Sequence, residues 1–373
     1  MTTALASKRP TSVEGPAFSN AKPTPEEPAS DQQDHTVDDL VRNLSSSLQS
    51  AVDEITDINS STHLLALNAR IEAARAGQAG AAFSVVAQEM QVLSNKTSEA
   101  AKQLATNTQR TIDDLLELIG AKVRGTRLSD IALVNIDLID RCLYERTCDV
   151  RWWATDSSIV DALMQATPAA YEHASQRMSV ILGAYTVYFD LVLCDLQGRI
   201  VANGRPGQYK SVGLNQSQER WFREAVGSKS GDEFGFQSAH RSNLVGDAPA
   251  LIYSCGVREA GESKGRLLGA LGIVFNWEAL AQTILQQAPL PAEERAATRC
   301  VIVDEQGNLL ADSWGRQLSE TLELPNRNDV FAGKKNFEMG EYNGRRSCIA
   351  HAQAPGFETY STGWHSLVIQ PLE

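Results

Sequence analysis

The sequence predicts a fold in two parts. The first is an antiparallel helical hairpin, which would form a four-helix coiled-coil bundle as a dimer. The second is an α+β domain with a long N-terminal helix and two antiparallel-sheet lobes. Three observations predict this: heptad spacing in two stretches, the mirror symmetry of those stretches, and a repeated strand–turn–strand motif in the second half of a 373-residue chain.

Residues 1–35 form the first segment with a composition of its own. They are rich in Pro, Ser, Thr, Glu and Asp and contain almost no large apolar side chains. Such a segment cannot bury enough apolar surface to offset the entropy lost on ordering. We therefore predict a disordered N-terminal tail.

Residues 36–120 have the composition and spacing of long helices. Ala, Leu, Gln, Glu and Ser dominate, and proline is absent. Small or apolar residues recur at alternating steps of three and four, as at the a and d positions of a coiled coil. These positions are Val41, Leu44, Leu48, Ala51, Ile55, Ile58, Thr62 and Leu65, then Phe83, Val86, Met90, Leu93, Thr97, Ala100, Leu104 and Asn107.

The two stripes mirror each other. Paired from the inside outwards, beginning with Leu65 and Phe83, their residue numbers always sum to 148. This predicts an antiparallel hairpin centred near Ala74. Because one hairpin buries only part of such a stripe, we expect a homodimer.

Beyond the hairpin, Gly120 and Gly125 interrupt the helical pattern. We expect a helical connector and the long helix of the next domain over residues 121–183. Pro168 would begin a further helix there, since proline is favoured in the first turn.

An internal repeat follows. Val192–Ala202 matches Val301–Ala311, with Asp, Gln, Gly and Ala at identical offsets. Each copy reads as an apolar strand, a tight turn and a second strand. The repeat predicts two similar lobes, over residues 184–288 and 289–373.

Charge and hydropathy exclude several kinds of partner. The formal net charge of −12 argues against nucleic acid and against anionic membrane surfaces. The longest apolar run, Leu267–Phe275, is far shorter than the roughly 20 residues that span a bilayer, and the first sixty residues contain no signal-peptide core. We therefore expect a cytoplasmic protein without a membrane span, whose six cysteines, lacking zinc or redox spacing, are buried.

The predicted hairpin turn carries a specific resemblance. Residues 62–89 read THLLALNARIEAARAGQAGAAFSVVAQE. This string resembles the signalling tip of methyl-accepting chemotaxis proteins over roughly residues 55–100. The resemblance implies contacts with other receptor dimers, with a chemotaxis histidine kinase and with a coupling adaptor protein. The residues that it assigns to those contacts are Asn68, Glu72, Arg75, Phe83, Val86 and Glu89. The alternative is that Phe83 and Val86 only pack inside the bundle.

Some positions depart from the pattern of that family. Arg70 replaces a small residue and Gln91 a basic one, and the short arms lack the Gln/Glu pairs of a methylation region. We expect no conventional methylation. Gln91 and the short arms keep open a second hypothesis: a non-signalling dimeric small-molecule-binding protein that only docks or dimerises through the hairpin.

Residues 130–373 resemble the two-lobed kind of Cache sensor domain, a PAS-like fold. The resemblance rests on the helix containing Tyr144–Asp156, on an aromatic pair after the first strand hairpin, and on a closing strand at 268–273. It implies a small-molecule site in the first lobe, with aromatic side chains as a wall and Arg as an anion clamp. The candidates are Arg220, Trp221, Phe222, Phe236, Arg241 and Tyr253.

Each candidate also has a purely structural interpretation, with the aromatic side chains in the core and the arginines at the surface. Val274 occupies the place of an Asp that, in this family, pairs with an α-amino group. This argues against an amino-acid ligand.

We find no motif for catalysis. The chain contains no Walker loop, HExxH or kinase signature, and its six histidines have no ligand spacing. Asp195 and Asp304 occupy equivalent turn positions, where Asp caps a turn for structural reasons. We expect no enzyme, no metal and no cofactor. An enzyme built on the sensor lobes is a third possibility that nothing in the sequence supports.

Overall fold

The computed structural model describes residues 37–324 and 326–372, and the predicted disordered tail at 1–35 lies outside them. The chain divides into two compact units, whose boundary in the sequence lies between Asp114 and Leu115. Helix α1 (Val37–Arg75) belongs to the first unit, and helix α2 (Ala81–Trp153) contributes residues to both.

Helices α1 and α2 form the predicted hairpin. They are joined by Ala76 and a short 3-10 turn, Gly77–Gly80. Gly77 has a φ of +57°, a conformation that favours glycine. At Gly80 a Cβ atom would lie 2.2 Å from the carbonyl oxygen of Ala73, so only glycine lets the chain pass this close. The turn is therefore centred on Gly77–Gly80 and not near Ala74.

The buried line between the two arms also differs from the prediction. It follows a strict seven-residue step and consists of small residues, which we call the small-residue seam: Asn59, Ala66, Ala73, Gly80, Ala87, Ser94 and Ala101. The Asn59 amide donates to the carbonyl of Ser94 at 2.7 Å, and the Ser94 hydroxyl donates to the carbonyl of Asn59 at 3.2 Å. Contacting residue numbers thus sum to 153, and the predicted sum of 148 is wrong.

The predicted apolar stripe lies beside this seam, one residue earlier along each helix. Most of its large side chains are exposed within one chain, namely Leu44, Ile55, Ile58, Leu65, Phe83, Val86, Leu93 and Leu104. A one-residue step rotates a side chain by about 100° around a helix. Each arm therefore has two adjacent stripes, a small one that pairs the arms and a large apolar one beside it.

The predicted interruption after residue 119 is wrong, because α2 continues through both Gly120 and Gly125 to Trp153. Gly125 has a packing role instead. A Cβ atom there would lie 2.1 Å from the Phe337 ring, so glycine makes room for that ring against the helix.

Two helices lead from α2 to the sheets. In α3 (Ser157–Gln165) the carboxylate of Asp156 accepts the N–H of Ser158 at 2.9 Å. Helix α4 (Pro168–Ala184) begins at the predicted proline, and the hydroxyl of Thr167 caps it.

The first lobe is a five-stranded antiparallel sheet with the order β2-β1-β5-β4-β3. Its strands are β1 (Tyr188–Asp195), β2 (Ile200–Asn203), β3 (Gly235–Ser242), β4 (Ala248–Arg258) and β5 (Leu267–Asn276). Helix α5 (Arg220–Gly227) packs on one face of this sheet, and helix α6 (Trp277–Gln286) follows its last strand.

The second lobe repeats the same strand order, β7-β6-β10-β9-β8. Its elements are α7 (Ala292–Arg295), β6 (Arg299–Val303), β7 (Leu309–Asp312), α8 (Arg327–Val330), β8 (Lys335–Tyr342), β9 (Arg345–Gln353) and β10 (His365–Pro371). The predicted pair of antiparallel lobes is confirmed.

The two sheets share one core. Their inner faces pack with the C-terminal part of α2, α3, α4 and α6 in a single apolar cluster. Each sheet also has an outer face with its own smaller cluster, which contains Trp221 and Phe222 in the first lobe and Val330 and Tyr342 in the second. Since one core contains residues of both lobes, it does not mark a boundary between them, and the predicted boundary at residues 288/289 stays a prediction.

Candidate functional site

The hairpin turn presents the predicted contact residues on its surface. Asn68, Glu72 and Arg75 lie on the last turns of α1, and Phe83, Val86 and Glu89 on the first turns of α2; all six are exposed. Phe83 is 73% exposed and Val86 58%, unusually high values for such side chains. Within one chain these two residues do not pack inside the hairpin.

Two polar contacts organise the surface of the turn. Arg75 forms an ion pair with Glu72 at 3.2 Å, one helical turn away; being exposed, it contributes little to stability. Arg70 donates across the arms to the side-chain carbonyl of Gln91. Two of the positions at which the sequence departs from the family pattern, Arg70 and Gln91, are therefore in contact, which the sequence pattern alone does not show.

The aromatic pair of the first lobe is buried. Trp221 and Phe222, both on α5, pack against the outer face of the first sheet. A Cβ atom at Gly272 would lie 2.9 Å from the Trp221 ring, so the glycine leaves space for this indole on the sheet. The pair forms the core of the outer face, and the indole N–H has no acceptor among the described residues.

The other two aromatic candidates lie on the opposite face. Tyr253 is fully buried on the inner face of β4, 4.9 Å from the half-buried ring of Phe236 between ring centroids. The Tyr253 hydroxyl contacts that of Tyr360, from the second lobe, at 2.6 Å. Phe236 and Tyr253 therefore join the two lobes and do not share a pocket with Trp221.

The two candidate arginines are exposed and lie apart from the aromatic side chains. Arg220 pairs with Glu224 at 2.7 Å, and Arg241 donates to the carbonyl of Asp247 at 3.3 Å. The six first-lobe candidates thus occupy both faces and the surface of the lobe. The structure does not bring them together in one cavity.

A buried carboxylate on α2 holds the loop between β9 and β10. Asp140 accepts the N–H of Gly356 at 2.9 Å and the hydroxyl of Thr362 at 2.7 Å. Burial raises the pKa of this carboxyl, against the lowering effect of those hydrogen bonds. The same loop carries Tyr360, so it touches both the long helix and the first lobe. No local sequence signal pointed to this contact, because its members are more than two hundred residues apart.

Each lobe contains a buried polar pair beside its first hairpin. In the first lobe the carboxylate of Asp190 accepts from the Asn203 amide at 2.7 Å, and burial raises the pKa of Asp190 to about 6. In the second lobe Arg299 contacts Asp312 at 2.6 Å, and these hydrogen bonds raise the pKa of the guanidinium despite its burial.

The second lobe also buries two histidines in contact. His351 and His365 approach at 2.7 Å between ring nitrogens, and the Phe331 ring packs on both. Burial, together with the neighbouring His365, lowers the pKa of His351 to about 4. Within residues 37–324 and 326–372, no group of three or more His, Cys, Asp or Glu side chains is arranged to hold a metal ion.

Comparison with known proteins supports the two-part organisation. The model of the methyl-accepting chemotaxis protein (MCP) signalling domain matches residues 19–128. The chain carries a chemoreceptor signalling domain. The two five-stranded sheets lie outside that match.

Curated relatives match part of the chain. The biofilm dispersion protein BdlA of Pseudomonas aeruginosa is 41% identical over 95 residues, which cover 24% of this chain and 23% of that protein. The methyl-accepting chemotaxis protein McpG of Pseudomonas putida is 58% identical over 52 residues, covering 14% and 8%. The chain therefore spans less than a quarter of the length of these relatives.

Solved structures match the second part. The sensor domain of the Vibrio cholerae histidine kinase DctB has a TM-score of 0.51 at 14% identity, covering 69% of this chain and 98% of that one. The ligand-binding domain of the Campylobacter jejuni chemoreceptor Tlp3 has a TM-score of 0.51 at 12% identity, covering 67% and 92%. This likeness confirms the double Cache-type fold. Among the described helices, none is long and apolar enough to cross a bilayer.

Proposed function

We propose that this protein is a sensory transducer. Its second unit binds a small molecule, and its hairpin turn modulates a chemotaxis-type histidine kinase together with a coupling adaptor protein. The observation that carries the proposal is the exposure of all six predicted contact side chains at the turn of a chemoreceptor signalling domain. Side chains so exposed are available to a partner surface.

A homodimer is part of the proposal. The hairpin pairs through its small-residue seam and leaves a continuous stripe of Leu, Ile, Val and Phe exposed. Contiguous apolar stripes of this kind on a soluble helix pair mark an interaction surface. A second copy would cover the stripe and complete a four-helix bundle.

The ligand is proposed from the fold and from the first lobe's chemistry. The Tlp3 structure holds 4-methylisoleucine. Here Val274 is buried in the apolar cluster of the outer face and offers no carboxylate to an ammonium group. We therefore propose a small organic ligand that is not an α-amino acid.

The test is autophosphorylation of a chemotaxis kinase with adaptor, measured with the wild-type full chain and with Arg75→Ala. Arg110→Ala serves as the matched control, because Arg110 is also exposed, on α2, but lies thirty residues from the turn. We expect wild type and Arg110→Ala to change kinase activity alike. Arg75→Ala should reduce that effect by about tenfold, as for a contact residue in a partner interface.

Two outcomes would contradict the proposal. If the folded, dimeric wild type leaves the kinase unaffected, the non-signalling binding protein is the better description. If Arg75→Ala and Arg110→Ala are equally active, the turn does not make the proposed contact.

A further inference from the structure

The outer face of the second lobe contains a cavity of about 270 Å³. Its lining combines apolar and cationic groups, among them Arg299, Trp314, Tyr342, Arg345, Ser347 and Ile369. The volume lies just below the range of about 300–1,000 Å³ typical of small-molecule sites. It would suit a metabolite of modest size.

At the floor of the cavity, some hydrogen-bond donors have no acceptor within the described residues. Arg299, only 2% exposed, donates to both carboxylate oxygens of Asp312, to Glu320 at 2.9 Å, and to the hydroxyl of Tyr342. A guanidinium has five N–H groups, so four are used. The fifth N–H group is on Nη1, the nitrogen that also contacts Tyr342, and it has no acceptor in the described part of the chain.

The Tyr342 hydroxyl adds a second free donor at the same place. Its oxygen accepts from Arg299, and its own hydrogen has no acceptor among the described residues. Two adjacent donors, one of them on a cation, match the two oxygens of a carboxylate. The indole of Trp314, which packs against the Arg299 guanidinium at 5.2 Å, supplies an aromatic wall and is still 45% exposed.

Charge at the rim favours an anion. Arg345 lines the cavity, is exposed, and has no ion-pair partner within residues 37–324 and 326–372. Its neighbour Arg346 lies outside the lining and pairs with Glu117 at 3.0 Å. Asp312 and Glu320 compensate the charges of Arg299 and Arg316, which lies 3.9 Å from Glu320. The positive charge available to a ligand therefore comes from Arg345.

The first lobe lacks this arrangement at the equivalent place. By the repeat, Arg299 corresponds to Asp190 and Trp314 to Arg205. There Asp190 accepts the backbone N–H of Arg205, and the Arg205 side chain donates to the carbonyls of Tyr188 and Leu182. Leu182 in the last turn of α4 lies against that region, whereas in the second lobe Ala296 and Ala297, just after α7, line the cavity.

We infer that this second-lobe cavity binds a small molecule with a carboxylate, held by Arg299, Tyr342 and Arg345, and with an apolar or aromatic body against Trp314 and Ile369. Binding at this cavity does not depend on the proposed transducer function. Only the role of such a ligand as a sensory input rests on that function.

The test uses benzoate as probe and its neutral isostere benzamide as chemical control, with ligand-observed NMR and calorimetric titration on the full chain. We expect saturable benzoate binding and at least tenfold weaker binding of benzamide. Arg345→Gln should weaken benzoate binding about tenfold, whereas Arg346→Gln should leave it unchanged. Both side chains are exposed, so both variants should fold.

Three results would overturn the inference: no benzoate binding to wild type at millimolar concentration, equal binding of benzamide, or equal loss in both arginine variants. Trp314→Ala is a second probe of the location and should also weaken benzoate binding. Kinase assays do not enter these readouts, so failure of the site and failure of the proposed transducer are separate results.

Discussion

The two lobes are built on the same frame but differ in the chemistry placed on it. Their first hairpins have identical registers, with Val192 opposite Asn203 and Val301 opposite Asp312, and the same bulge. On this common frame the first lobe buries an acid with an amide, and the second buries an arginine with an acid. The backbone pairing therefore fixes the position of a buried polar pair, whereas the two lobes place differently charged side chains at that position.

The outer faces differ in how they are filled. Trp221 and Phe222 on an eight-residue helix occupy the outer face of the first lobe. The second lobe has only the four-residue helix α8 in the corresponding stretch, and its outer face contains the cavity lined by Arg299 and Trp314. We therefore expect the first lobe to depend on packing and the second on charge, and three measurements sharpen or break this contrast.

The largest loss of stability is expected when the buried indole is removed from the outer face of the first lobe. Trp221→Ala should lower the free energy of unfolding by about 4 kcal/mol, because a fully buried indole is removed and a cavity remains. Trp314→Ala, at the exposed cavity of the second lobe, should cost about 1 kcal/mol. Urea unfolding of the full chain measures both. Equal losses would show that the two lobes do not differ in packing.

The next effect concerns the buried pairs. Asp312→Asn removes the bidentate partner of a buried guanidinium and should cost about 3 kcal/mol. Asp190→Asn should cost less than about 1 kcal/mol, because amide and carboxyl are isosteric and the Asn203 carbonyl oxygen, buried without a donor among the described residues, can pair with the new amide after a flip. If Asp190→Asn lowers the free energy of unfolding more than Asp312→Asn does, the first lobe depends more on its buried polar pair than the second.

The smallest effect is a difference in pH response. The lowered pKa of His351 means that the unfolded chain binds a proton before the folded one does. Stability from this group is complete well above pH 6.5 and falls by about 2.5 kcal/mol as the pH drops from 6.5 to 4. In the first lobe Asp190, with its raised pKa, acts in the opposite direction and favours the folded state as the pH falls through 6.

The control for this prediction is a pair of variants. His351→Gln keeps a hydrogen-bonding group beside His365 without titrating in this range. Its stability relative to wild type should therefore be about 2 kcal/mol more favourable at pH 4.5 than at pH 7. His173→Gln, exposed on α4, should show no such change relative to wild type. Unfolding free energies at pH 7 and pH 4.5 measure this difference, and if His351→Gln behaves like His173→Gln, the histidine pair is not responsible.

Much of the frame could be predicted from the sequence. Heptad spacing identified the hairpin, and the Asp-x-Gln-Gly repeat identified both strand hairpins, where the carboxylates of Asp195 and Asp304 accept backbone N–H groups as expected. Such features depend on local turn chemistry and periodicity, which act over a few residues.

The rest depended on contacts that periodicity does not encode. Ala66 and Leu65 are neighbours, and spacing alone favours the larger residue for the interior, so the seam was placed one position too early. Gly125 looked like an interruption because its neighbour Phe337 is far away in sequence. The resemblance to Cache domains places the aromatic candidates in one site, but the pleat of the sheet puts Ile252 and Tyr253 on opposite faces and so separates Tyr253 from Trp221.

The small-residue seam has a consequence for mutational tolerance. At Gly80 any side chain would collide with the Ala73 carbonyl, and at Ala66 and Ala87 both partners are already fully enclosed. A random substitution along this line would force the arms apart. The neighbouring stripe of Leu, Ile and Val would accept the same substitution in an isolated chain and resist it only when covered by another surface. Comparing which residues are tolerated along the small-residue seam and along the apolar stripe would therefore show, from mutagenesis alone, whether another surface covers the stripe.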